Sequence, residues 1–289
     1  MSKEIGAQST RRMVEIFILI IAIVFVFGAA QCGGSRESEV ITVPPPVKVE
    51  TPPRTPPVPI RIAVGADKTG STHWTRTQQL QPDDVEPLIK LLRRSGGEIA
   101  VGLISDDSNR SLLRLRIEVP PVEPVLDVKD PQVGEVDAYE LAEQKKANDQ
   151  KRAEFAAAHD RYVEARKQWE ASTQRDVDHF LTSLKSLLAV DPNYRATDIW
   201  GAITRYDLYL SEDDSSWGAT RPIHKYLAMV SDGEDNVHAG STGPLKSGAK
   251  LLLVNGSASV GSLAPLNPQQ FESVQAAFRY ITAVEGGNE

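Results

Sequence analysis

Cysteine is almost missing from the chain. Cys32 stands alone among 289 residues, so no intrachain disulfide can form and no cysteine-built metal site is available. An excess of positive charge is also missing. With 32 Lys and Arg against 39 Asp and Glu the net charge is -7 and the pI near 5.4, which leaves no broad basic field, and nucleic acid is excluded as an expected partner. Apolar runs long enough to span a membrane are scarce as well. The one candidate, Ile16 to Ala30, is a single short segment, too little to line a transport path. What remains, 40 % apolar residues over 289 positions, supports one globular domain of roughly 150 to 200 residues with appendages.

The apolar segment follows Lys3, Arg11 and Arg12, a charge placement that keeps the N-terminus cytoplasmic and the body on the exported, periplasmic or extracellular, side of a membrane. Its length lies between a secretory leader and a span of about 20 residues. Ala29-Ala30-Gln31-Cys32-Gly33 resembles a bacterial lipoprotein processing site with Cys32 as the lipidated residue, although Gln31 stands where a small residue is usual. Residues 1–34 therefore read either as an uncleaved signal anchor or as a lipoprotein signal, with the membrane as partner in both cases. Residues 35–58 form a Pro-rich linker: Val43 to Pro59 holds eight prolines, a composition closed to helix and central strand. In polyproline II geometry it would lift the body roughly 50 Å from the membrane at about 3.1 Å per residue.

The body, residues 59–289, opens with Ile60 to Val64 as a strand. Asp83 and Asp84 offer an N-cap to a helix carrying Val85, Leu88, Ile89 and Leu92 on one face and stopped by Gly96-Gly97. Glu98 to Ser105 is apolar throughout its interior, as for a strand buried on both faces. Ser111 to Val119 alternates and reads as an edge strand. Residues 120 to 175 are an insertion, with a long charged helix from Asp137 to about Thr173. Leu141, Phe155, Tyr162 and Trp169 recur at multiples of seven along it; this thin stripe suits a coiled-coil arm, or a solvated helix resting on its own domain. A separate helix holds Val177, Phe180, Leu181, Leu184 and Leu188. Lys225 to Val230 and Ala249 to Val254 read as buried strands, and Pro268 to Ala283 as a closing helix. The alternation predicts an α/β class, a doubly wound, mostly parallel sheet flanked by helices.

Chemistry concentrates where strands end. Asp67, Thr69 and Ser71 follow the first strand, a carboxylate with hydroxyls at +2 and +4 on a tight loop; Thr197 sits at a loop-to-helix junction, where it could be an N-cap; Asp232-Gly233 follows a later strand. In an open α/β sheet such positions face one crevice beyond the carboxyl ends of the strands, and oxygen ligands of this kind suit hard divalent cations. His73 and Trp74 flank the first loop, while His224 and His238 have no metal-ligand spacing.

In their order and type, Asp67-x-Thr69-x-Ser71, then Thr197, then Asp232-Gly233 resemble the metal-ion-dependent adhesion site (MIDAS) of the von Willebrand factor A-like (VWA) domain family. Thr69 replaces the family's first Ser. The resemblance implies a VWA/Rossmann-like fold, a Mg²⁺ (or Mn²⁺ or Ca²⁺) held by the hydroxyls of Thr69, Ser71 and Thr197, with Asp67 and Asp232 acting mostly through water. It further implies an open coordination position for an acidic side chain of a protein partner, and a binding module rather than an enzyme. Asp67-Lys68-Thr69-Gly70 also resembles the phosphorylated motif of the haloacid dehalogenase superfamily, in which Asp67 would be a nucleophile and Asp232 a Mg²⁺ ligand. A third alternative is a VWA domain that binds partners without metal.

Overall fold

A computed structural model describes residues 58–70, 78–108, 110–128, 137–190, 196–217, 223–237, 244–254 and 261–286. The leader with Cys32, nearly all of the linker, Ser71, His73, Trp74 and His238 lie outside them. Contacts divide the chain into Met1–Arg54 and Thr55–Glu289, and every described residue belongs to the second unit. Among the described residues no helix is long and apolar enough to cross a membrane.

The core begins with two strands that show no solvent on either side. β1 (Ile60–Asp67) and β2 (Gly97–Ile104) are buried at all eight positions each, which is why their sequences run apolar instead of alternating. They pair in parallel, as do β1 with β4 (His224–Val230), β4 with β5 (Lys250–Val254) and β5 with β6 (Gln269–Phe271). β3 (Leu113–Ile117) pairs antiparallel with β2 and forms one edge. The order β3-β2-β1-β4-β5-β6 reverses between β1 and β4, and that reversal fixes where a crevice opens.

Helices cover both faces, as an α/β layer fold requires. On one face Ile62, Val64, Ile99, Val101, Tyr226 and Leu252 meet α1 (Glu86–Ser95), the end of α2 (Ala138–Leu188) and α4 (Val274–Gly286). On the other, Ala63, Ala100, Leu227, Met229 and Leu253 meet α3 (Ile199–Leu210), whose Tyr206 is fully buried. Tyr206 packs closely on the sheet where glycine occupies β1 and β2. A Cβ on Gly65 would stand 3.0 Å from the Tyr206 ring, and one on Gly102 would stand 2.9 Å from its hydroxyl.

Several expected elements differ. The long helix and the compact helix after it are one: α2 runs 51 residues without a break. No Gly or Pro lies in Ser172–Asp178, Thr173 is buried, and Gln174 hydrogen-bonds Asp178 one turn on at 2.7 Å, so nothing interrupts the backbone ladder. The expected closing helix starts later, at Val274, and the residues before it form β6, a sixth strand paired with β5. Ahead of α1 a 3-10 turn, Pro82–Val85, takes the place of an Asp cap. Asp84 instead reaches back to accept from the Gln81 N–H at 2.8 Å.

At about 1.5 Å per residue α2 is about 77 Å long, whereas an eight-residue strand spans about 27 Å. Only its last four turns enter the core, through Thr173, Val177, Phe180, Leu184 and Leu188. The outer part is charged, stitched by i to i+4 hydrogen bonds such as Arg166 to Glu170 at 2.7 Å and Gln150 to Glu154 at 2.9 Å. Its stripe meets the chain's own extended segment: Trp169 Nε1 donates to the Glu118 carbonyl at 2.9 Å. Farther out, Phe155 and Ala158 face Pro124 to Asp127 across a shallow cleft.

Candidate functional site

β1 and β4 run side by side, with Ala66 opposite Val230. The next residues, Asp67 and Ser231, therefore emerge together at the reversal of strand order. Asp67 is 2 % exposed, Ser231 fully buried and Asp232 8 % exposed. Asp67 Oδ1 accepts from the Thr69 N–H at 2.8 Å and from the Thr69 hydroxyl at 2.6 Å, and Oδ2 accepts from the Ser231 hydroxyl at 2.6 Å. Burial nevertheless raises its carboxyl from 3.8 to about 6, with the charge of nearby Asp232 adding to the rise while the Ser231 and Thr69 hydrogen bonds oppose it.

After β4 the chain turns sharply through Gly233 at φ 83°, a left-handed conformation that favours glycine. Ser231 Oγ accepts from the Gly233 N–H at 3.1 Å, and Asp232 Oδ1 from the Glu234 N–H at 3.1 Å. Asp232 Oδ2 is buried with no hydrogen-bond partner among the described residues. Such an atom carries a desolvation cost of about 1 to 3 kcal/mol unless something else meets it.

Thr197 comes to the same place from the other side of the fold. Its N–H donates to Asn236 Oδ1 at 2.7 Å and its carbonyl accepts from the Asn236 N–H at 3.2 Å, while Asp235 takes the Trp200 N–H at 2.9 Å. These bonds lock the start of α3 to the turn after β4. Thr197 is not the helix cap: Asp198 fills that role, accepting from Gly201 N at 2.8 Å. Thr197 is only 1 % exposed. A second brace comes from the β2 exit, where Ser108 Oγ donates to the Asp198 carbonyl at 2.7 Å and Asp198 N to the Ser105 carbonyl at 2.8 Å.

Of the residues singled out in the sequence, Asp67, Thr69, Thr197 and Asp232 thus stand around one crevice, and Ser71 and Cys32 lie outside the described residues. Ser231 and Asn236 were not foreseen. Their signal was strand register, since the position after β4 that lies level with Asp67 is Ser231. Among the described residues no three His, Cys, Asp or Glu side chains form a metal-holding group; the crevice offers two carboxylates and several hydroxyls instead.

No family model matches the chain. No curated protein matches it either. Among solved structures, proximal thread matrix protein 1 from the mussel byssus is similar at 9 % identity and a TM-score of 0.34, over 78 % of this chain and 47 % of that one. The chain thus spans about half the length of that protein, and so low a score leaves function to be argued from the crevice itself.

The crevice residues fit a hard cation. All donors are oxygens, the charge of Asp232 raises the proton affinity of Asp67, and one carboxylate oxygen of Asp232 is buried and unpaired. A divalent ion would satisfy those atoms together and supply the charge that the protein does not.

Proposed function

We propose that residues 59–289 are a VWA-like domain that binds a protein partner through a divalent cation, Mg²⁺ or a similar ion such as Mn²⁺ or Ca²⁺. Residues 1–34 tether it to a membrane and residues 35–58 space it away, with the body on the exported side. The observation that carries the reading is the unpaired, buried Oδ2 of Asp232 beside the equally buried Asp67. The strand order with its antiparallel edge strand supports it.

In this reading Thr69, Ser71 and Thr197 supply hydroxyl oxygens and the two Asp residues act mostly through water. Ser231 holds Asp67 at a fixed orientation. With few charged ligands the ion stays electrophilic, and an acidic side chain of the partner completes its shell. The role is binding, without catalysis. No observation favours phosphotransfer from Asp67 over cation binding.

Calorimetric titration of the full chain with MgCl₂ tests the reading. Wild type should bind one ion, and Asp67→Ala and Asp232→Ala should each weaken binding at least about tenfold, the loss of one charged contact of about 1.5 kcal/mol. Unchanged affinity in both variants would remove the metal site. A wild type that binds no ion would leave a VWA domain working without metal.

A further inference from the structure

A second region with unmet charge, lined by none of the crevice residues, runs along the groove between α3 and the edge strand β3. One wall is Leu112 and Arg114, alternate residues on one side of the edge strand. The other is Arg205 and Leu208, one turn apart on α3, with Glu212 just past its end and Tyr209 as the floor. The space measures about 610 Å³, within the range of small-molecule sites.

The two arginines differ in what neutralises them. Arg114 is fully engaged: Nε reaches Glu98 at 2.7 Å, Nη1 reaches Glu212 at 3.1 Å, and its guanidinium lies 4.7 Å over the Tyr209 ring. Arg205 meets only neutral acceptors. Its Nη1 donates to the Arg110 carbonyl, and its Nη2 to the Leu103 carbonyl at 3.3 Å and to the Tyr206 hydroxyl at 3.1 Å. Nε has no partner, and no carboxylate among the described residues pairs with this guanidinium. Arginine is half-buried here beside Leu208, which is 65 % exposed. Tyr209, only 3 % exposed, adds a buried hydroxyl with no partner. A half-buried cation without a counter-ion is costly, and next to it an exposed Leu and an aromatic floor offer apolar surface.

We propose that this groove is a binding site for a small organic acid, one carboxylate on a short apolar body, with the carboxylate against Arg205 and the body over Leu112 and Leu208. The carboxylate supplies the charge that Arg205 lacks, and the apolar body covers Leu208. The groove uses none of the crevice residues Asp67, Thr69, Thr197 or Asp232.

The test is a methyl NMR titration of the full chain, labelled at leucine, with 4-phenylbutanoate as the probe. The Leu112 and Leu208 methyl signals should shift with saturation in the millimolar range. Arg205→Gln should weaken binding roughly tenfold, as expected for a charge-assisted hydrogen bond. Leu208→Glu is the second variant, because the exposed site tolerates the change. It places an internal carboxylate one turn from Arg205 and should weaken the probe to a similar extent while leaving Mg²⁺ titration unaltered. Equal binding of 4-phenylbutanamide, equal shifts with inorganic phosphate, absence of any shift, or undiminished affinity in Leu208→Glu would each overturn the assignment.

Discussion

The two ends of the sheet treat buried charge in opposite ways. At the amino end, Arg61 meets Asp214 at 2.9 Å and Glu98 at 3.8 Å, Arg114 takes the other oxygen of Glu98 at 2.7 Å, and Lys225 reaches Asp214 at 2.8 Å. Carboxylates and cations there answer each other, with the Tyr209 ring between the two arginines at 5.7 and 4.7 Å. At the carboxyl end, Asp67 and Asp232 have no ion pair among the described residues and are held by hydroxyls and backbone N–H groups. The amino end pairs its charges internally, although Arg61 Nε, Asp214 Oδ1 and the Tyr209 hydroxyl make no hydrogen bond among the described residues. The carboxyl end leaves its two buried carboxylates without an ion pair among the described residues, and the same strands β1 and β4 carry both ends.

The largest test of this contrast removes a cation from the ion-paired end. Arg61→Ala leaves Glu98 with Arg114 alone and Asp214 with Lys225 alone and removes a side chain that is 3 % exposed, and should lower unfolding stability by about 3 kcal/mol in urea denaturation. A loss under about 1 kcal/mol would show the ionic cluster to be ornamental. At the carboxyl end the opposite sign is expected. Asp67 titrates near 6 when folded against 3.8, so the folded protein holds a proton that the unfolded chain has released. The stability from this group is complete below pH 3.8 and is lost as pH rises through about 6, at most about 3 kcal/mol. Asp67→Asn, measured in chelator, should therefore stabilise the protein at pH 7 by about 1 to 3 kcal/mol and flatten the profile between pH 4 and 7, whereas Mg²⁺ should stabilise wild type only. A destabilised Asp67→Asn protein would show Asp67 to be as well compensated as Glu98.

Smaller effects sharpen the same contrast. Asp198 is a carboxylate at the carboxyl end whose backbone partner is in place, Gly201 N at 2.8 Å. Asp198→Ala should cost about 1 kcal/mol, the usual value of a cap, independent of Mg²⁺. Least of all, Arg166→Ala removes an exposed pair with Glu170 on the outer part of α2 and should change stability by less than about 0.5 kcal/mol by the same denaturation.

Much of this arrangement was legible before any coordinates. Continuous apolar runs at Ile60 and Glu98 gave buried parallel strands, and the alternation from Leu113 gave the edge, because burial on two faces or one leaves a direct trace in residue choice. Asp67, Thr69 and Asp232 were visible because they follow such runs, and Thr197 because it stands at the opening of a helix. The sixth strand was not, since three residues, Gln269 to Phe271, hold too few side chains to show a period. Nor was the continuity of α2, where a change from charged to apolar surface looks like a boundary although the backbone has no reason to stop. Ser231 escaped because its role follows from the register between β1 and β4, and residues far apart in the chain do not announce their register. The groove beside Arg205 escaped for a similar reason: it depends on what fails to come near a cation, and a sequence lists only what is there.

The unbroken α2 has a mechanical consequence. A hinge or loop at Thr173 would have let the outer helix swing about the domain; a continuous hydrogen-bonded rod fixed by Val177, Phe180 and Leu184 makes it a ruler instead. Anything engaged near Leu141 would be held tens of ångströms from the core at one set bearing, at about 1.5 Å per residue from the buried turns. Because the outer turns share a backbone with the core but little of its packing, amide protection should decline outward along a single helix, so that one element spans the range from the domain's global stability to local fraying.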